Sequence, residues 1–104
     1  MYQNIDNAQF KKLMTQPNTV VLDVRIPKEI AEGSIVGANE FADINNQEEF
    51  GKALQRLDKA KNYLVYCRSG ARSGKACRLM EEKGFKGSLY NLTIGITGWD
   101  GAKK

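Results

Sequence analysis

The sequence predicts an α/β domain with a mainly parallel central sheet flanked by helices. Three observations carry this. Short β-branched apolar runs alternate with amphipathic stretches along the chain. The runs at 20–24 and 63–66 are almost continuously apolar, as strands covered on both faces are. Capping residues, prolines and glycines stand where one pattern gives way to the next.

Asn7 to Gln16 is expected to be a helix, because Phe10, Leu13 and Met14 fall at i, i+3 and i+4. Asp6 with Gln9 forms a capping-box pair ahead of it, and Pro17 closes it. Val20 to Val24 is the first core strand. Pro27 to Glu32 reads as a short helix with proline in its first turn, ended by Gly33. Ile35 and Val36 suggest a short strand. Asn46 to Leu57 is the clearest amphipathic helix, with Phe50, Ala53, Leu54 and Leu57 on one stripe. Tyr63 to Tyr66 is the second core strand. A helix follows from Ser69 or Ser73 to Lys83, ending at Gly84. Leu89 to Leu92 is another strand, and Ile96 and Trp99 belong to a terminal turn or short helix.

At 104 residues the chain is read as one domain, 1–104, with one core. No apolar run reaches the roughly 20 residues that span a bilayer, so no membrane partner is expected. The first residues, Met1 to Asp6, lack the basic-then-apolar pattern of a signal peptide. A cytoplasmic location is therefore expected, with a periplasmic one open if a signal has been removed. The net charge of +4 favours anionic partners. Nucleic acid is not among them, because the basic residues are spread out and not interleaved with aromatics.

There are two cysteines, Cys67 and Cys77, and no histidine. Cys–His and Ser–His–Asp catalysis within the chain are thereby excluded. Two cysteines without a CxxC spacing make no zinc site, so no metal is expected. Any cysteine chemistry must work through fixed charge and backbone donors. Cys67 is placed for that. It ends an apolar strand, and the run Cys67-Arg68-Ser69-Gly70-Ala71-Arg72-Ser73 leads into a helix. Such a turn aims N–H groups and the positive helix end at the sulfur, which favours the reactive thiolate. Cys77 lies ten residues further on, roughly 15 Å along a straight helix. That is beyond the about 6 Å between Cα atoms that a disulfide allows. It shares an arc with Ala76, Leu79 and Met80 and is read as core.

Several separated segments resemble the rhodanese (sulfurtransferase) domain family, together covering about Asn7 to Ala102. Leu22-Asp23-Val24-Arg25 is similar to the family's D-x-R after its first core strand. Glu29 and Glu32-Gly33-Ser34-Ile35-Val36-Gly37-Ala38 resemble its E-x-x-x-G-H-I-x-G-A segment. The run from Cys67 to Ser73 resembles its active loop, and Gly95-Ile96-Thr97-Gly98-Trp99 its terminal G-I-x-x-W. Ser34 stands in place of the usual histidine, Val36 of a common proline, and Ile94 of the first glycine of a Gly-Gly pair.

The resemblance implies a rhodanese-like three-layer fold and a two-step sulfur transfer. Cys67 would take the sulfane sulfur of a small anionic donor such as thiosulfate as a persulfide. A thiol or cyanide acceptor, or a sulfur-relay protein, would then remove it. No metal or organic cofactor is called for. Arg68, Ser69, Gly70, Ala71, Arg72 and Ser73 would cradle the anion: backbone N–H groups form a nest, and the arginines add charge that can fork onto an oxyanion, with Arg72 either doing so or bracing the loop. Gly70 permits a turn that a β-carbon resists. Asp23, Arg25 and Glu29 are expected to brace the site through ion pairs and hydrogen bonds, and Trp99 to anchor the core beneath it. Four residues separate Cys67 from Arg72. The related cysteine phosphatases space the pair C-x5-R, one residue longer, to encircle a tetrahedral phosphate. The shorter loop favours sulfur over phosphate or arsenate.

Overall fold

The computed structural model describes residues 1–104. Five strands form one sheet in the order β1-β5-β4-β2-β3, every neighbouring pair parallel. The elements run β1 (Gln3–Ile5), α1 (Asn7–Met14), β2 (Thr19–Asp23), α2 (Pro27–Ala31), β3 (Glu40–Phe41), α3 (Gln47–Arg56), β4 (Asn62–Tyr66), α4 (Ala71–Glu82) and β5 (Leu89–Leu92). A single 3-10 turn at Ile96–Gly98 follows. The predicted α/β class is therefore the observed one.

The central strands alternate their side chains between two cores. Val20, Leu22, Val24, Tyr63, Val65 and Cys67 face Phe50, Leu54, Cys77 and Met80 of α3 and α4. Val21, Leu64, Tyr66 and Leu92 face Phe10 of α1 and Trp99 on the opposite side. This gives three layers, helix–sheet–helix, and explains why the runs in β2 and β4 have no polar alternation. Trp99 packs edge-on against Phe10, ring centroids 5.2 Å apart. Removing a buried aromatic of this kind typically costs about 3–5 kcal/mol.

Local signals hold where the sequence gives them. The Asp6 carboxylate accepts from the Gln9 N–H at 2.9 Å, and the Gln9 side chain accepts from the Asp6 N–H at 3.2 Å, completing the capping box. The Asn46 side chain caps α3 through the Glu49 N–H. Three expectations change. The helix after Cys67 begins at Ala71, one turn past the nucleophile, with Gly70 as its cap in the left-handed region. Ile35 and Val36 do not join the sheet; Ile35 makes an isolated antiparallel bridge with Lys103. Two further strands, β1 and β3, flank the sheet as its edges. No helix is long and apolar enough to cross a membrane.

Candidate active site

β4 is the middle strand of the five, and Cys67 follows directly from its carboxyl end. That is the end of a parallel sheet where sites are built. The Cys67 residue is fully buried. Its sulfur accepts the Gly70 N–H at 3.1 Å, and the Ser73 hydroxyl lies 3.4 Å away. Burial alone would push the thiol up. The Ser73 hydroxyl and the N–H groups of Ser73, Ser69 and Gly70 outweigh it, and the thiol lies below its ordinary value. The cradle thus favours an anion on sulfur without a basic side chain.

Backbone shape makes this loop possible. Gly70 has φ +95°, and a β-carbon there would overlap the Thr93 carbonyl. Gly95 has φ +65°, and a β-carbon there would overlap the carbonyl of Arg68. The same two segments are tied by hydrogen bonds from Ile96 N–H to the Cys67 carbonyl at 2.9 Å and from Thr97 N–H to that of Arg68 at 3.1 Å. The loop and the turn after β5 therefore pack backbone against backbone.

The structure brings the remaining sequence-derived residues around this loop in distinct positions. Arg72, in the first turn of α4, forks onto Glu29 with both guanidinium nitrogens, at 2.8 and 3.0 Å. Its guanidinium thus joins α4 to α2, and Arg72 holds the Glu29 carboxyl below the usual carboxylate range. Asp23 and Arg25 form a second forked pair, with contacts of 2.8 to 3.2 Å, buried at the end of β2. Arg25 also donates to the Gly33 carbonyl at 2.7 Å and lies over the Tyr66 ring at 5.6 Å. Ser69 and Ala71 are exposed in the loop, while Gly70 and Ser73 are buried within it. Arg68 is exposed and lines a cleft of about 360 Å³ with Arg25, Glu29, Thr97 and Lys103. The cleft borders the loop; Cys67 itself does not line it. Cys77 is buried in α4, where burial pushes its thiol up to about 12.

One residue beside the loop escaped the reading of the sequence. Asn91, buried in β5, donates to the Gly70 carbonyl at 3.1 Å and to the Asn4 side chain at 3.0 Å, and accepts from the Ser73 hydroxyl. The signal for it was a lone amide in an otherwise apolar strand pattern. Tyr66, directly before the nucleophile, accepts the Ile35 N–H at 3.2 Å.

This geometry agrees with comparisons to known proteins. Residues 6–102 match the rhodanese-like domain family. The chain is 33% identical over 103 residues to the provisionally named sulfurtransferase YtwF of Bacillus subtilis, covering 98% of this chain and 94% of that one. It is 32% identical to a sulfurtransferase of Allochromatium vinosum, covering 95% and 89%. A tRNA uridine(34) hydroxylase of Pelagibacter ubique is 38% identical over 93 residues, 89% of this chain but only 30% of the longer protein. The rhodanese-like domain of the Anabaena protein Alr3790 superposes with a TM-score of 0.82 at 24% identity, covering 100% of this chain and 80% of that one. The chain belongs to the rhodanese-like domain family, and relatives of nearly its own length carry the name sulfurtransferase.

Proposed function

We propose that the protein is a sulfurtransferase that carries a sulfane sulfur as a persulfide on Cys67. The observation that carries this reading is the buried Cys67 sulfur, held by the Gly70 N–H and the Ser73 hydroxyl so that its anion is favoured. A persulfide is also an anion, one sulfur atom longer, and the same kind of donor stabilises it.

In the first step the Cys67 thiolate attacks the outer sulfur of thiosulfate, or of a related persulfide or polysulfide. A new S–S bond forms to Cys67, the S–S bond of thiosulfate breaks, and its electron pair leaves with sulfite. In the second step a thiophilic acceptor, cyanide or a thiolate, attacks that outer sulfur, and the electron pair returns to Cys67. Cyanide leaves as thiocyanate. No general base is needed once the thiolate is formed, which suits a chain without histidine. Donors fixed at such a centre typically lower the barrier by about 3 kcal/mol each.

Intact mass after incubation with thiosulfate tests this. The reduced protein is expected to gain one sulfur atom and lose it on adding cyanide, and Cys67→Ser to gain none. Equal sulfur uptake by Cys67→Ser, or none by the wild type from either thiosulfate or polysulfide, would remove the reading.

A further inference from the structure

A groove runs between α3 and α4, on the side of the sheet opposite Trp99. One depression of about 330 Å³ has Ile44, Phe50, Leu54 and Leu79 in its lining. A second, of about 170 Å³, continues it and shares Gly51, Leu54 and Lys83 with the first.

Gly51 keeps this groove open. It is the fifth of ten residues in α3, a helix-interior position where glycine is disfavoured and alanine is the best residue. Its backbone is not left-handed, and a β-carbon there would meet no atom within 4 Å. Gly70 is glycine because Thr93 leaves no room; no such demand exists at Gly51. What Gly51 contributes is the space above it.

The charge around the groove is of one sign. Lys75, Leu79 and Lys83 stand four residues apart along α4, so two exposed lysines flank a half-buried leucine on one ridge. Neither lysine has an acidic residue three or four positions away. Neither makes an ion pair. Lys59 lines the second depression, its ammonium donating to the Leu54 carbonyl at 3.0 Å. No carboxylate lines either depression.

We propose that this groove docks an acidic amphipathic helix of a partner protein, its apolar side chains entering beside Gly51 and its carboxylates meeting Lys75 and Lys83. Charge and spacing both select such an occupant. Eight residues place the two lysines about 12 Å apart along α4. A helix laid against that ridge, with carboxylates eight positions apart and leucines between them, offers the matching pattern. The depressions hold side chains and leave the partner's backbone outside, as when a helix lies in a groove. Lys75 is just over one turn from Ala71, so a docked partner reaches the end of α4 that carries the Cys67 loop. The inference stands apart from the persulfide reading, because it rests on no reaction.

The test uses the full-length protein and two labelled synthetic helices. Both carry leucines and charged residues at four-residue spacing; the charges are glutamates in one and lysines in the other. Fluorescence anisotropy gives dissociation constants, and amide chemical shifts locate the site. The glutamate peptide is expected to shift amides of α3 and α4 and to bind at least about tenfold tighter than the lysine peptide, the scale of two exposed ion pairs. Lys75→Glu combined with Lys83→Glu is expected to reverse that preference. Gly51→Leu is expected to fill the groove and weaken binding at least about tenfold, with the urea midpoint at or above that of the wild type, since leucine suits a helix better. No binding of the glutamate peptide, equal affinity for both peptides, or shifts confined to other elements would overturn the proposal. So would tighter binding of dodecanoate in competition with the glutamate peptide, which would make the groove a site for a small amphiphile. A dimer that Gly51→Leu dissociates would also overturn it, by assigning the groove to a second copy of this chain.

Discussion

Cys67 and Asn91 share one proton donor. The Ser73 hydroxyl is bonded to the Asn91 side-chain oxygen and also lies 3.4 Å from the Cys67 sulfur. A serine hydroxyl has a single proton, so it cannot serve both acceptors at once. The Asn91 amide is fixed in orientation, because its nitrogen donates to Gly70 and Asn4. The closer oxygen of Asn91 favours holding the Ser73 proton while Cys67 is a thiol, and a thiolate competes for that same proton.

The pH dependence of Cys67 reactivity follows from this arrangement. Its thiol lies below the ordinary value, so the rate of alkylation rises with pH and levels off earlier than for a free thiol. Ser73→Ala removes the side-chain donor, moves that midpoint upward, and is expected to slow persulfide formation about tenfold at neutral pH. Asn91→Ala removes the competing acceptor and is expected to move the midpoint downward, an effect absent in the double variant with Ser73→Ala. Iodoacetamide kinetics against pH measure all three; an upward movement in Asn91→Ala would show the competition to be unimportant.

Gly70 and Gly84 separate strain from steric conflict. Both have positive φ, +95° and +85°, but only at Gly70 does a β-carbon meet another backbone, at Thr93. Gly84→Ala should cost about 1 kcal/mol and leave sulfur transfer unchanged. Gly70→Ala should cost roughly 3 kcal/mol and displace the loop, with activity falling at least about tenfold. Urea unfolding with single-turnover kinetics on both variants checks the contrast.

The Arg72–Glu29 pair predicts an acid-sensitive share of stability. Arg72 holds the Glu29 carboxyl below its ordinary 4.5, so the folded state binds that proton less readily than the unfolded one. The stabilisation is complete above the ordinary value and is lost as pH falls through the depressed one. Glu29→Gln should lose about 1 kcal/mol at neutral pH and less at acid pH, where the wild-type pair has gone. Denaturant midpoints across pH 3 to 7, about the span of the carboxylate titration, would show the two curves converge at the acid end. Parallel curves would count against the pair.

The two cysteines should differ sharply in reactivity. Cys77 is buried against α3 and α4 core residues, with its thiol pushed up to about 12, whereas the Cys67 anion is favoured. Native protein is expected to take one alkyl group, on Cys67, and unfolded protein two. Peptide mapping of the native adduct to Cys77 would contradict the placement of α4.

Much of the architecture was legible because its signals are local. The apolar runs of β2 and β4, the Asp6–Gln9 box and the α3 stripe each fall within one element. The edge strands were not. β1 has three residues, two of them exposed, and β3 has only two, so neither can show a periodic pattern. Ile35 and Val36 looked like a short strand because they are apolar and β-branched, but the partner of Ile35 is Lys103 in the tail. At the site, the nucleophile and its loop were readable from contiguous residues. The arginine pairs were expected as a group, but their partners were not: Glu29 and Arg72 lie 43 residues apart. Asn91 shows in the sequence only as a lone amide in an apolar strand, and Lys103 carries no local signature of a site. Their positions are set by strand register and by a chain-end clip, which only tertiary structure supplies.

The close packing of the Cys67 loop on residues 93–97 has a consequence for how such a sequence can drift. Each segment presents a glycine to the other's carbonyl, Gly70 to Thr93 and Gly95 to Arg68. A single replacement at either position has no neighbouring side chain to trade against, because what it meets is main chain. A lineage can vary the helices and edge strands one residue at a time, while these two stretches are obliged to change together or stay as they are.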